Sequence, residues 1–189
     1  GARVQSLSCI FFPFNATSAV NFGTELEVRK GLGFVADALE KFSTSLNFTF
    51  TEGDTDAPDD LFGNLPNLPL QDQSNFLVNG GLSYSDIDSG LDASLLFNWV
   101  GERVRRYGIF STVQDGDGTT RAGDVRELAR GTLDVKVSKR LGDFTLSLSG
   151  RNLTDTLIQE VQESAVVGDI LVGRARPGVD FSLGLTYAF

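Results

Sequence analysis

The sequence has no histidine and no methionine, and only one cysteine, one tryptophan and five prolines in its 189 residues. Without histidine there is no imidazole to hold a metal or to act as base beside a serine. A single cysteine, Cys9, excludes a disulfide framework within the chain. No run of about 20 apolar residues exists, so no transmembrane helix is expected. Residues 7–14 are apolar but too short for one, and are expected to finish a strand before Pro13. Cations are scarce as well: 16 Lys and Arg stand against 25 Asp and Glu, a net charge of −9. Nucleic acid is therefore not an expected partner, because its phosphates require a basic surface. No signal peptide opens the chain at Gly1, which points to a piece of a longer protein.

What the sequence does have is period-two alternation, which sends alternate side chains to opposite faces of a strand. At the C-terminus Phe181, Leu183, Leu185, Tyr187 and Phe189 alternate with Asp180, Ser182, Gly184, Thr186 and Ala188. Phe42, Leu46, Phe48 and Phe50 alternate with Ser43, Ser45, Asn47 and Thr49. The same pattern marks residues 22–29, 76–84, 91–100, 132–138 and 144–149, and residues 1–11 read as the tail of another strand. Mean hydropathy is blind to such a chain, since one face cancels the other.

The connections alternate in length. Residues 86–90 and 141–143 are tight, Gly- or Asp-bearing turns. Residues 52–73, 102–128 and 156–177 are long, and the third is expected to hold a hairpin about Val167-Gly-Asp169. Short turns at one end and long loops at the other distinguish outer-membrane barrels. Counting back from a periplasmic C-terminus, the long loops should follow the strands ending near Thr51, Gly101 and Asp155, as they do. A soluble β-sandwich also alternates, but it has no reason for that asymmetry. The expected fold class is all-β, an antiparallel up-and-down transmembrane β-barrel segment of about seven or eight sequential strands. Residues 1–189 then form part of one barrel domain in the bacterial outer membrane, with lipid as a partner.

The terminal stretch Ser182-Leu-Gly184-Leu-Thr-Tyr187-Ala-Phe189 resembles the β-signal of outer-membrane proteins. The resemblance implies that Ser182, Gly184, Tyr187 and Phe189 are read by the barrel-assembly machinery, which would capture the strand by edge pairing. From about Ala19 onward the chain is also similar to the C-terminal barrel of TonB-dependent receptors. Asn21-Phe-Gly-Thr-Glu-Leu-Glu-Val-Arg29 resembles the family's G-x-E-L-E strand. Pro69-Leu-Gln-Asp-Gln-Ser-Asn-Phe-Leu-Val-Asn-Gly-Gly-Leu-Ser-Tyr84 resembles its P-x-Q-x-x-P-Y-x-x-N-x-x-L-x-Y segment, with Asn75 and Phe76 in place of Pro and Tyr. Gly150-Arg-Asn-Leu-Thr-Asp155 looks like its N-L-F-D strand end, with Thr154 in place of the aromatic. Arg176-Pro-Gly178 before the final strand is likewise similar. The resemblance implies a barrel of about 22 strands, of which this is the last third. It further implies a plug domain carrying a TonB box, neither of which lies in this chain, so TonB would be met through that plug. The function implied is uptake of a scarce solute: a siderophore, vitamin, glycan or peptide. Neither enzymatic activity nor a cofactor is expected. The alternative is a complete small barrel of about eight strands with a structural or adhesive role.

Seven charged residues fall on the inward phase: Glu25, Glu27, Arg29, Asp134, Lys136, Arg140 and Arg151. They are candidate contacts for solute or plug, although any polar lumen needs polar lining, with opposite charges compensating across strands. Lys30 and Lys139 fall on the outward phase near strand ends, where a long side chain snorkels cheaply. Gln114-Asp-Gly-Asp-Gly118 resembles part of a calcium loop but lacks the closing Glu. With Asp54, Asp56, Asp59 and Asp60 it reads as a solvated acidic outer surface. Asn15-Ala-Thr, Asn47-Phe-Thr and Asn152-Leu-Thr match the glycosylation pattern by chance, two of them lying inside expected strands.

Overall fold

Alternation of this length has to be satisfied by pairing, and the computed structural model pairs it throughout. It describes residues 15–56, 68–108, 110–115, 118–121, 123–162 and 168–189. Expectations for residues 1–11 and 7–14, for Asp59 and Asp60, and for the middle of the Gln114–Gly118 motif lie outside the described residues.

The strands in chain order are β1 (Ser18–Gly31), β2 (Phe42–Asp56), β3 (Leu68–Pro69), β4 (Phe76–Asp86), β5 (Leu91–Val100), β6 (Arg103–Arg106) and β7 (Phe110–Asp115). They continue with β8 (Gly118–Arg121), β9 (Val125–Glu127), β10 (Arg130–Leu141), β11 (Phe144–Arg151), β12 (Ile158–Gln162), β13 (Ile170–Ala175) and β14 (Asp180–Tyr187). Among the described residues there is no α-helix, only a three-residue 3-10 turn at Asp37–Leu39. The main sheet runs β1-β2-β4-β5-β10-β11-β14, every neighbour antiparallel, and β3 adds to β2. The order is that of the chain, so hairpins of increasing sequence position lie side by side. β1 and β14 end this order, which leaves the sheet open among the described residues.

Register decides what each face carries, because directly opposite residues share a face. Leu183 pairs with Leu148, Leu148 with Val137, Val137 with Ala93 and Ala93 with Tyr84. Further along, Leu95 pairs with Leu82, Trp99 with Val78, Val78 with Phe48 and Phe48 with Leu26. One face is thus apolar from β1 to β14. The other carries Thr145, Ser147, Ser149, Ser138, Ser94, Ser83, Ser45 and Asn47 in the complementary phase. A slip of one residue would exchange the faces.

Among the described residues nothing packs on the apolar face. Leu183 is 73% exposed, Phe181 68% and Leu26 64%, and no large side chain among the described residues is fully buried. Among the described residues the buried apolar ones are Leu68 on β3 and Val104, Val125 and Val161 of the long connections, all toward one end of the main sheet.

At that end the long connections are not plain loops. β6, β9, β12 and β13 form a second antiparallel sheet in the order β13-β12-β9-β6, and β7 pairs with β8. The expectation of a plain long loop over residues 102–128 is corrected accordingly. Each segment prolongs a chain of the main sheet after a short break: β5 into β6, β9 into β10, β11 into β12 and β13 into β14. The hairpin expected within residues 156–177 is present as β12 and β13, with Gly168 at φ +77°. β2 also runs past Thr51, where its end was expected, to Asp56, because β1 begins early enough to pair Ser18 with Asp56. The opposite end keeps its tight turns, at residues 87–90 and 142–143.

Candidate functional site

The polar face of the main sheet is concave, and its hollow of about 1020 Å3 is lined from β1 across to β10. Of the seven charged candidates it gathers Glu25, Glu27, Arg29 and Asp134. Glu27 and Arg29 pair with each other along their own strand at 2.6 Å, so compensation here runs along a strand, where it was expected across neighbouring strands. Asp134 accepts the Asn152 backbone N–H at 2.8 Å, which makes it a support for the turn after β11. Lys136 and Arg151 lie on the same face outside this hollow, and the register sets Arg151 opposite Asp180. Arg140 lines a smaller hollow of about 420 Å3 near the tight turns, with Asp86 and Asp92.

Three asparagines complete the larger hollow. Asn47, Asn79 and Asn98 stand directly opposite one another on β2, β4 and β5. Asn98 donates to Asn79, Asn79 to Asn47 at 3.4 Å, and Asn47 to the Glu25 carboxylate. Sequence reasoning gave these residues no role, because each is one polar position in its own strand and only register aligns them.

The terminal strand has its own geometry. Ser182 Oγ meets Ser149 Oγ at 2.7 Å. A Cβ at Gly184 would lie 2.7 Å from Ser147 Oγ and meet no other atom within 4 Å. The Tyr187 ring stacks against Phe144 with centroids 4.9 Å apart and approaches Phe189 at 6.5 Å. Lys30 reaches over the Phe34 ring at 5.4 Å, and Lys139 donates to the Ser89 carbonyl at 2.5 Å. Both lysines therefore turn toward the tight-turn end, as their position near strand ends suggested.

At the other end lies an arginine–carboxylate network that sequence reasoning missed. Register puts Arg103 and Glu160 on either side of Glu127. Two carboxylates directly opposite would repel, and arginines offset this. Glu127 accepts from Arg103 Nη2 at 2.9 Å and Arg130 Nε at 3.1 Å, while Glu160 accepts from Arg106 Nη2 at 2.6 Å. Arg105 Nε sits between them, 3.7 Å from Glu127 and 3.6 Å from Glu160. Burial pushes the Glu127 carboxyl up, but hydrogen bonds and charge from Arg103 and Arg130 outweigh it and hold the group below its ordinary value. The visible signal was the cation-rich Arg103-Val-Arg-Arg106, too short to show a strand period.

The turn after β11 joins two of the motifs read from sequence. Asn152 and Asp155 both have positive φ, +52° and +50°, a conformation that Asn and Asp tolerate better than most residues. The Asn152 amide donates to the Gly178 carbonyl at 2.8 Å and its oxygen accepts the Thr156 N–H at 3.1 Å. Arg176 Nε donates to both Asp155 oxygens, at 3.1 and 3.0 Å. This hydrogen-bonded arginine holds the Asp155 carboxyl below the usual carboxylate range. Gly150-Arg-Asn-Leu-Thr-Asp155 and Arg176-Pro-Gly178 are thus one physical unit.

Among the described residues no three His, Cys, Asp or Glu side chains converge as a metal site. No helix among them is long and apolar enough to cross a membrane, which does not bear on crossing by strands. Comparison with protein-family models, curated proteins and solved structures finds no match for this chain.

Proposed function

We propose that this chain is a segment of an outer-membrane β-barrel wall, with its apolar face against lipid and its polar face toward the lumen. The observation that carries the reading is the predominant segregation of the two faces across the main sheet, with Leu77 and Leu96 among the exceptions on the polar side and the apolar face uncovered among the described residues. A sandwich would pack a second layer on that face, about 10 Å away, and none of the described residues does so. Lipid is the natural cover for a sheet that is apolar on one side and polar on the other. The length difference between the two ends supports a periplasmic C-terminus.

Four motif resemblances narrow the proposal to the C-terminal barrel region of a TonB-dependent receptor. On that reading the outer loops capture a scarce solute, and energy passed by TonB to the plug opens a path along the polar face. No covalent chemistry is required of these residues. The second reading, a small closed barrel of structural or adhesive role, is favoured by a strand number near the minimum of about eight.

Lipid contact is tested by placing single cysteines at Leu183, Leu148 and Ser149 in a Cys9→Ser background and labelling each with a fluorophore in vesicles. Labels at Leu183 and Leu148 should be quenched by lipid-borne nitroxide, and the label at Ser149 by a water-soluble quencher. Equal aqueous quenching at all three would overturn the membrane reading. To separate receptor from small barrel, the coding DNA upstream of Gly1 is read. A plug and TonB box are expected, and a signal peptide directly before Gly1 would remove the receptor reading.

A further inference from the structure

The asparagine row on the concave face has a fixed chemical polarity. An ionised carboxylate can only accept hydrogen bonds. Asn47 must therefore turn an N–H toward Glu25, which leaves its carbonyl facing Asn79, and the same orientation passes to Asn98. Each amide has two N–H groups, and the row uses one of each. The second N–H of each remains for a molecule in the hollow that all three residues line. Neighbouring strands lie about 4.8 Å apart, so these donors recur at that interval across β2, β4 and β5, beside carbonyl and carboxylate acceptors. Asn79 and Asn98 are exposed to the hollow, and Asn47 is half-buried.

The charges around the row leave a small negative excess. Glu25, Glu27 and Asp134 line the hollow with Arg29, while Lys30 turns out over the Phe34 ring, and Glu27 and Arg29 already pair. A polyanion would be repelled, and a polycation would meet only Glu25 and Asp134, which already accept hydrogen bonds from Asn47 and Asn152. A hydroxyl both donates and accepts, and so suits a surface that alternates the two.

We infer that the Asn47–Asn79–Asn98 row is a contact track for a neutral, hydroxyl-rich solute of the carbohydrate class. The inference rests on the reading that the polar face lines the passage, and it names the class of solute that passage takes. Contacts of this kind are individually weak, which lets a solute move from one strand to the next.

Calorimetric titration of the full chain in detergent micelles tests it, with maltohexaose, inorganic tripolyphosphate and spermidine as probes. Maltohexaose alone is expected to bind. Asn79→Leu should weaken it about tenfold, the loss of one or two hydrogen bonds, and Asn79→Gln should regain most of the affinity. Asn98→Asp, which keeps the size but replaces donors with acceptors, should weaken it too. Circular dichroism is used to check that each variant keeps its strands. No maltohexaose binding, equal or tighter binding of either charged probe, or unchanged affinity in both Asn79→Leu and Asn98→Asp would overturn the inference. Flotation with vesicles separates the two levels. A chain that floats but ignores maltohexaose refutes the track alone. One that stays monomeric in water without detergent refutes the membrane reading as well.

Discussion

Gly184 offers the sharpest perturbation, because a single atom decides its outcome. An added Cβ would sit 2.7 Å from Ser147 Oγ and within 4 Å of nothing else. The hydroxyl has to move, which gives up its 3.4 Å contact with the Gly184 carbonyl and disturbs a side chain between well-formed strands. Overpacking of this kind costs about 1–3 kcal/mol. Against it, Gly→Ala restricts the unfolded chain and stabilises by about 0.4–1 kcal/mol where the backbone permits, and Gly184 lies in a regular strand. Gly184→Ala should therefore destabilise by about 1 kcal/mol in the parent chain. In a Ser147→Ala background the obstacle is gone, and the same substitution should stabilise by about 0.5 kcal/mol. The readout is a double-mutant cycle of urea midpoints for protein refolded into detergent, run beside an assay of assembly into outer membranes. Absence of a sign change in the cycle would refute the packing argument. If the cycle behaves as expected but the double variant still fails to assemble in cells, the glycine is read by the assembly machinery in its own right.

Three further outcomes are expected. Leu148→Lys on the apolar face should cost about 2–4 kcal/mol when folding in vesicles, the value for a cation near the bilayer midplane, while Ser149→Lys on the polar face costs under about 1 kcal/mol; equal costs would contradict the assignment of faces. The Glu127 carboxyl is held below its ordinary value of 4.5, so its contribution is present above about pH 4.5 and lost as pH falls through the depressed value; amide protection factors in β9 and β12, corrected for the intrinsic exchange rate at each pH, should fall on acidification, and Glu127→Gln should show low protection at all pH, having lost about 2 kcal/mol. Asn152→Gly keeps the positive φ but loses the bonds to Gly178 and Thr156, so it should loosen residues 152–156 in exchange by about 1–2 kcal/mol, and Asn152→Ala, which also strains the backbone, by more.

The wall strands were legible because one-sided burial writes a period of two into every strand, as in Phe181, Leu183, Leu185 and Tyr187. Pairing order followed as well, since tight turns at residues 87–90 and 142–143 leave a hairpin no other neighbour. The second sheet was hidden because β6 and β9 are short, and a few residues cannot display a period. Their partners are remote, as in Arg103 with Glu127, and the register shifts between Val104 and Arg106. Site residues divide in the same way. Glu25, Glu27 and Arg29 could be assigned to a face from their own strand. The asparagine row needed two registers at once, and the Asp155–Arg176 pair needed two strand ends brought together. Composition does not encode either.

Aromatic spacing along the strands also fixes how thick a membrane the wall would fit. Phe42 and Phe50 on β2, Phe76 and Tyr84 on β4, and Phe181 and Phe189 at the C-terminus repeat one spacing. An even spacing keeps both rings of a pair on one face, and its length sets a height. At about 3.3 Å per residue each pair spans about 26 Å along the chain, and a tilt of about 40° reduces this to about 20 Å along the membrane normal. Ring contacts tie each level together laterally: Phe42 with Tyr84 at 4.9 Å near the tight turns, and Phe50 with Phe76 at 5.2 Å near the long connections. Two aromatic rows about 20 Å apart, widened by the rings themselves, bracket an apolar band close to the ~25 Å of outer-membrane barrels. The chain should therefore fold in higher yield into thin bilayers than into thick ones, since mismatch costs a fraction of a kcal/mol per Å. Lengthening the acyl chains in a refolding series measures this. A yield that rises with thickness would mean that the aromatic rows do not lie at the two interfaces.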